Sequence, residues 1–169
     1  MKRLLFGMGG ALALLFPGCA FQQTNPKSGD YPGYKTSAYT IKGNRFIPMS
    51  VENALTYKAE GLCSHYEGGS RWRSAKTAIG ENVKPHHVHA AHRTLPLPCK
   101  IRVTSLRTGR SMVVRVNDRG PFIRGRILDV SAPVAKELGF YHRGLEPVRI
   151  EVLSVGDGKW ERKAIAAEP

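Results

Sequence analysis

Acid is scarce in this chain. Its 169 residues hold 13 Asp+Glu against 26 Lys+Arg, a formal net charge of +13. That balance favours an anionic partner through long-range attraction, and it makes each carboxylate informative. Cysteine is scarce too, with three in all. There is no internal repeat long enough to build an array of stacked units. A metal centre also lacks its parts. His86, His87, His89 and His92 crowd together in "HHVHAAH", a spacing that can hold zinc. No cysteine or carboxylate pattern completes such a set, and a polar loop is a simpler home for histidines, so neither metal nor cofactor is expected.

The N-terminus carries an apolar run but not a spanning one. "MKRLLFGMGGALALLFPGC" sets two cations before a short apolar stretch that ends at Cys19. It is too short and wrongly flanked to cross a membrane, and residues 1–18 read as an exported leader. Gly18 directly before Cys19 resembles a bacterial lipoprotein processing site, although Phe16 and Pro17 depart from the usual small residues; an ordinary secretion signal cut nearby is the alternative. A lipid on Cys19 would hold a soluble domain at a membrane surface. Ala20 follows the cysteine where an Asp would mark inner-membrane retention, which favours the periplasm-facing leaflet of the outer membrane. Loss of the leader removes Lys2 and Arg3 and no acid, so the rest stays strongly basic. Exported chains rarely meet nucleic acid, so the anionic partner is expected to be glycan strands or anionic lipid.

Residues 19–38 are polar, with Pro, Gly and Ser, and read as a tether. "YTIKGNRFIP" reads as a small hairpin and "GLCSHY" as a short strand; residues 67–98 have no clear period and read as mostly loop. Alternation then becomes regular in "CKIRVTSL", "SMVVRVN" and "PVRIEVL", the mark of half-buried strands. "SAPVAKELGF" reads as one short helix, capped by Ser131, with Pro133 in its first turn and Gly139 at its end. Residues 39–155 thus predict one small mainly-β domain with one short helix, which suggests a closed barrel. Residues 156–169 read as a solvated tail.

One acid stands out. In "RVNDRGPF" Asp118 lies between Arg115 and Arg119 at a corner made by Gly120 and Pro121, with Phe122 beyond. Such an Asp either holds the turn through its own backbone or does chemistry in a groove. "GLCSHY", "KTAIGE", "AAHRTLP", "IRVTSLRTGRSMVVRVNDRGPFIRGRILDVS" and "AKELG" together resemble the RlpA (rare lipoprotein A) family of septal-ring lytic transglycosylases, from about residue 39 to 153. The resemblance implies a six-stranded double-psi β-barrel, similar to that of expansins. It implies an enzyme that cleaves peptidoglycan glycan strands, preferring strands stripped of stem peptides. It carries an essential acid onto Asp118, a second acid onto Glu81 and a histidine onto His92. Ile79 replaces an Asn before Glu81, and His65 stands where the family has Trp. Many members carry a C-terminal SPOR domain that binds denuded glycan; no such segment is expected here, so septal partners are not implied.

The chemistry suits these residue types. Cleaving a sugar–sugar bond needs a proton on the leaving oxygen, which a carboxyl can give near neutral pH if burial or a like charge raises its pKa. In a lytic transglycosylase the muramic acid's own 6-hydroxyl then attacks C1, leaving a 1,6-anhydro end. Asp118 is the expected acid and then base, Glu81 the stabilising or substrate-holding carboxylate, and His92 an orienting group. Tyr66, Trp72 and Phe122 are expected to stack on sugars, and Arg115, Arg119, Arg124 and Arg126 to read carboxylates. Arg115 and Arg119 also act to lower the pKa of Asp118. Asp129 in "LDVS" reads as structural. Cys63 and Cys99 in an oxidising compartment read as a disulfide; a thiol peptidase using Cys63 with His92 is the rival, against which stands the strand-like setting of Cys63. A barrel that binds glycan without cutting it is the alternative function, since fold does not fix activity.

Overall fold

Alternation builds the core. In the computed structural model, described over residues 32–66, 76–84 and 86–165, strand β5 (Cys99–Ser105) turns Cys99, Ile101, Val103 and Ser105 inward and leaves Arg102 exposed. Strands β6 (Ser111–Asp118) and β8 (Leu145–Val155) bury Val114 and Val116, and Val148, Ile150 and Val152, in the same way. Strand β3 (Lys58–Tyr66), β4 (His89–Ala91) and β7 (Arg126–Ser131) add Cys63, Ala90, Leu128 and Val130. Each large apolar side chain removed from water here stabilises the fold by roughly 1.5–3 kcal/mol.

The strands pair in the order β3-β7-β4-β6-β5-β8, and β8 pairs back onto β3. The result is the expected six-stranded closed barrel. The β3–β7 and β4–β6 pairs are parallel and the others antiparallel. A two-stranded hairpin, β1 (Tyr39–Ile41) with β2 (Asn44–Phe46), forms a separate small sheet, as the sequence predicts. Helix α2 (Ala132–Glu137) follows β7.

Several expectations need correction. Residues 67–98 are not simply loop: they contain β4, three residues long yet placed between β6 and β7. A second short helix, α1 (Val51–Leu55), is capped by the Ser50 side chain accepting from the Asn53 amide. Ser131 does not cap α2 with its side chain; its hydroxyl accepts from the His89 amide instead. The last residues of the supposed tether strap onto the barrel, with the Lys35 amide donating to the Leu97 carbonyl at 2.7 Å. The start of the supposed tail is held as well. Asp157 is buried, and strand β9 (Arg162–Lys163) pairs with β8. Gly156 must be glycine there, because a β-carbon would stand 2.4 Å from the Trp160 carbonyl oxygen at φ +88. These attachments are polar and mostly join residues far apart in sequence, so hydrophobic patterning gives no sign of them.

The disulfide is also corrected. Cys63 and Cys99 are both free and buried. On one side of the barrel β8 lies between their strands, and on the other β7, β4 and β6 do. Strands two apart lie about 9–10 Å from each other, beyond the Cα separation of about 4.4–6.8 Å that a disulfide bridges.

Candidate active site

Four neighbouring strands line up a polar row on the outside of the barrel. Asp118 on β6 is in register with Ala91 on β4, Ala91 with Asp129 on β7, and Asp129 with Ser64 on β3. Register partners share a face, and this face is opposite to that of Cys63, Ala90 and Val130 in the core. The small Ala91 is therefore the floor between two carboxylates whose backbones lie about 10 Å apart. Gly120 closes the corner above it at φ +143, a conformation that side chains resist; a β-carbon there would stand 3.6 Å from both Ala91 Cβ and Asp129 Oδ2.

Asp118 is mostly buried. Its Oδ1 accepts from the Ala78 and Arg119 amides at 2.8 and 2.7 Å. Burial raises its pKa; the two amides and the Arg119 charge pull the other way and do not prevail. Glu81 is not among its causes. Asp129 is raised by burial too, against the hydroxyl of Ser64, which donates to its Oδ1, and the charge of Arg126. The site thus has two carboxyls that hold protons more tightly than usual, facing one floor.

Glu81 is the opposite case. Both its oxygens accept from Arg115 at 2.7 Å, and Oε2 accepts from Asn117 Nδ2 at 2.7 Å as well. Burial acts to raise its pKa, but these bonds outweigh it and hold the carboxyl below its ordinary value. Arg115 in turn is clamped by Asp157, whose Oδ2 accepts from Nη2 at 2.5 Å. Arg115 is only 4 % exposed. It is therefore no reader of glycan carboxylates, as the sequence had implied; its fork is already filled by two acids of this chain.

The other predicted residues separate. His92 is buried, and its Nδ1 accepts from the Thr94 and Leu95 amides at 3.1 and 3.0 Å. Burial lowers its pKa to about 3, so the ring is neutral and serves as a fixed acceptor. Its own amide donates to the Asp118 carbonyl at 3.1 Å, which joins it to the corner through the backbone. Tyr66 packs its ring against His89 at 5.2 Å between centroids. Its phenol pKa is pushed far up, first by burial and then by Asp118 and Asp129, which places it in the field of both carboxyls. Arg119 donates to the Lys35 carbonyl at 3.0 Å and lies over the Tyr39 ring, so it too serves the fold. Arg126 donates to Ser64 Oγ at 3.1 Å beside Asp129, whereas Arg124 and Phe122 are exposed. Trp72 and Cys19 lie outside the described residues.

The thiol rival finds no support in the geometry. Burial pushes the Cys63 thiol far up and Cys99 up to about 12, so neither supplies a thiolate. Among the described residues no cluster of three or more His, Cys, Asp and Glu side chains is placed to hold a metal. The sequence reading missed Asp129, Ser64, Asn117 and Asp157. Asp129 had one visible signal: it is out of phase with Leu128 and Val130, so it faces outward beside the corner.

Residues 58–150 match the family described as lytic transglycolase. An endolytic peptidoglycan transglycosylase RlpA from Pseudomonas aeruginosa is 42 % identical over 117 residues, 69 % of this chain and 33 % of the relative. One from Rickettsia bellii is 41 % identical over 126 residues, 73 % of this chain and 54 % of the relative. The chain spans a third to about half the length of these relatives. An expansin from Clavibacter michiganensis aligns at a TM-score of 0.44 and 18 % identity, covering 57 % of this chain and 50 % of its own.

Proposed function

The chain belongs to the RlpA-type lytic transglycolase family, with its double-psi β-barrel, and from that premise we propose that it cuts peptidoglycan glycan strands internally, between MurNAc and GlcNAc, leaving 1,6-anhydroMurNAc ends. The names of its relatives support the substrate. The observation that carries the reaction is the buried Asp118, with one oxygen fixed by two amides and a pKa raised by desolvation. Such a carboxyl holds its proton to higher pH than an ordinary Asp, which is what a general acid requires.

In this reading protonated Asp118 gives its proton to the oxygen leaving C1. The muramic acid's 6-hydroxyl attacks C1, and its proton passes to the newly ionised Asp118. The donor is thus restored and no water is consumed. Glu81, held ionised by Arg115 and Asn117, adds fixed negative charge near the developing oxocarbenium ion. Asp129 borders the same floor and contacts the sugar from the far side of Ala91. Exposed Arg124 and Phe122 are the parts of the predicted binding set that remain open to a glycan. Denuded strands are the preferred form, since each bare lactyl group adds a carboxylate. Lipid on Cys19 would keep the domain on the periplasm-facing side of the outer membrane.

The test is to incubate the exported chain with purified denuded strands and weigh the products. Anhydro ends confirm the reaction. Reducing ends mean a hydrolase, and intact strands that nonetheless bind mean a glycan-binding barrel.

A further inference from the structure

One apolar surface beside the groove takes no part in the chemistry above. Phe122 follows the Gly120–Pro121 turn and is 43 % exposed; Ile123 next to it is 53 % exposed. Two rings of the β1–β2 hairpin pack against Phe122, Phe46 at 5.5 Å and Tyr39 at 6.4 Å between centroids. Ile47, just after β2, is 67 % exposed. Arg119 fastens the hairpin to the Asp118 corner, 5.3 Å from the Tyr39 ring centre. The hairpin lies outside the residues 58–150 that match the family.

Lys42, Arg45 and Arg124 are exposed on this surface, and its nearest acids at the corner, Asp118 and Asp129, belong to the groove. Exposed apolar surface marks a binding face, and the exposed cations favour an anionic partner.

We propose that the hairpin and the corner form a ledge on which the glycan strand lies as it leaves the Asp118 groove. A pyranose ring rests its C–H face on Phe122 and Phe46, and Arg45 or Arg124 grips a muramic carboxylate beside it. The occupant follows from position. A polymer cut internally continues past the scissile bond, and the surface that continues from Asp118 through Gly120–Pro121 is this one. The ledge rests on the glycan reading above, but it concerns binding and not cutting.

The test uses Asp118→Asn protein, which holds strands intact, with Phe46→Ser or Arg45→Glu added. Arg45 is an exposed hairpin charge, so its reversal leaves the barrel folded. Binding is measured to denuded glycans of increasing length. Long strands are expected to lose about tenfold in affinity, the worth of one aromatic or charge-assisted contact. Two-disaccharide oligomers, which fill only the groove, are expected to bind as before. Unchanged binding of long strands overturns the ledge, and so does an equal loss for short and long. If the variants instead release the protein from phosphatidylglycerol vesicles while glycan binding stands, the surface faces lipid and the proposal falls. If the unsubstituted protein cuts nothing yet the length-dependent loss appears, the enzyme reading fails and the ledge stands.

Discussion

The two outer faces of this barrel follow the same alternation and differ in one respect. On β5, β8 and the start of β3 the outward residues form ion pairs open to solvent, such as Lys58–Glu151 and Arg102–Glu151 at 3.0 and 3.7 Å. Burial plays little part there, and Glu151 is lowered first by its bond to Lys58. On β4, β7 and the C-terminal halves of β6 and β3 the outward residues are mostly polar but largely covered. Asp118 and Asp129 are pushed up by desolvation, and Arg115 is sealed between Glu81 and Asp157. A small β-barrel has no spare interior for chemistry, because its core is filled with apolar side chains. Its reactive groups are therefore on an outer face, and what makes that face reactive is cover from loops and straps. Burial of outward polar groups, and not charge alone, tells the groove from the plain surface.

The largest effect comes from the acid itself. Asp118→Asn is expected to lower cleavage by about three orders of magnitude, as loss of a general acid does, and to leave the fold intact. The amide oxygen still accepts from Ala78 and Arg119. At neutral pH the variant is expected to be at least as stable as the parent, because burial disfavours the ionised form of Asp118. That advantage shrinks as pH falls through the raised pKa and the parent takes up its proton. Product yield and thermal midpoints at two pH values check both halves. Near-parental turnover would remove Asp118 from the chemistry.

Next is the clamp beneath it. Arg115→Met leaves Glu81 and Asp157 buried without their cation, which is expected to cost about 3–5 kcal/mol in urea unfolding. Adding Asp157→Asn is expected to recover part of that, because the two share one network. A small loss in the single variant would mean that the covered face is wetter than its geometry implies.

A smaller effect is expected in acid. Burial holds His89 at about 4 and His92 at about 3. Both folded values lie below the unfolded imidazole's, about 6.5. The unfolded chain therefore binds more protons, and stability declines as pH falls from about 6.5 toward 3. His92→Asn keeps an acceptor for Thr94 and Leu95 but does not titrate. Its midpoint is expected to fall less between pH 7 and pH 4 than the parent's; an equal fall would mean that His92 is not buried neutral.

How far this contrast was legible in sequence depends on range. The strands β5, β6 and β8 declare themselves by alternation, and the corner by "NDRGPF". The strand β4 does not, because "HAA" is three residues with every side chain buried. Arg115 misled for a clear reason. It stands at an outward phase beside Asp118, so it reads as a solvent-facing cation, yet the acids that seal it are 34 and 42 residues away. The paired cysteines misled in the same way: export and count point to a bridge, and only strand order places β8 between them. Asp129 reads as structural in sequence, although its phase, opposite to Leu128 and Val130, turns it outward.

The smallest expected effect sharpens the comparison most, because it tests the plain face. Arg149 and Glu60 meet at 2.8 Å, against 2.7 Å for Arg115 and Glu81, but their side chains are 52 % and 53 % exposed. Water screens the pair and the ordering of two long side chains offsets much of its attraction, so Arg149→Ala is expected to cost roughly 0–1 kcal/mol. Cleavage and strand binding should not change. Distance alone would rank this pair close to Arg115–Glu81; burial ranks them several-fold apart. If urea unfolding finds Arg149→Ala as costly as Arg115→Met, then cover is not what separates the two faces, and the raised carboxyls of the groove lose their stated cause. If the costs differ as expected, the same covering that makes Arg115 indispensable to the fold is what raises the pKa of Asp118.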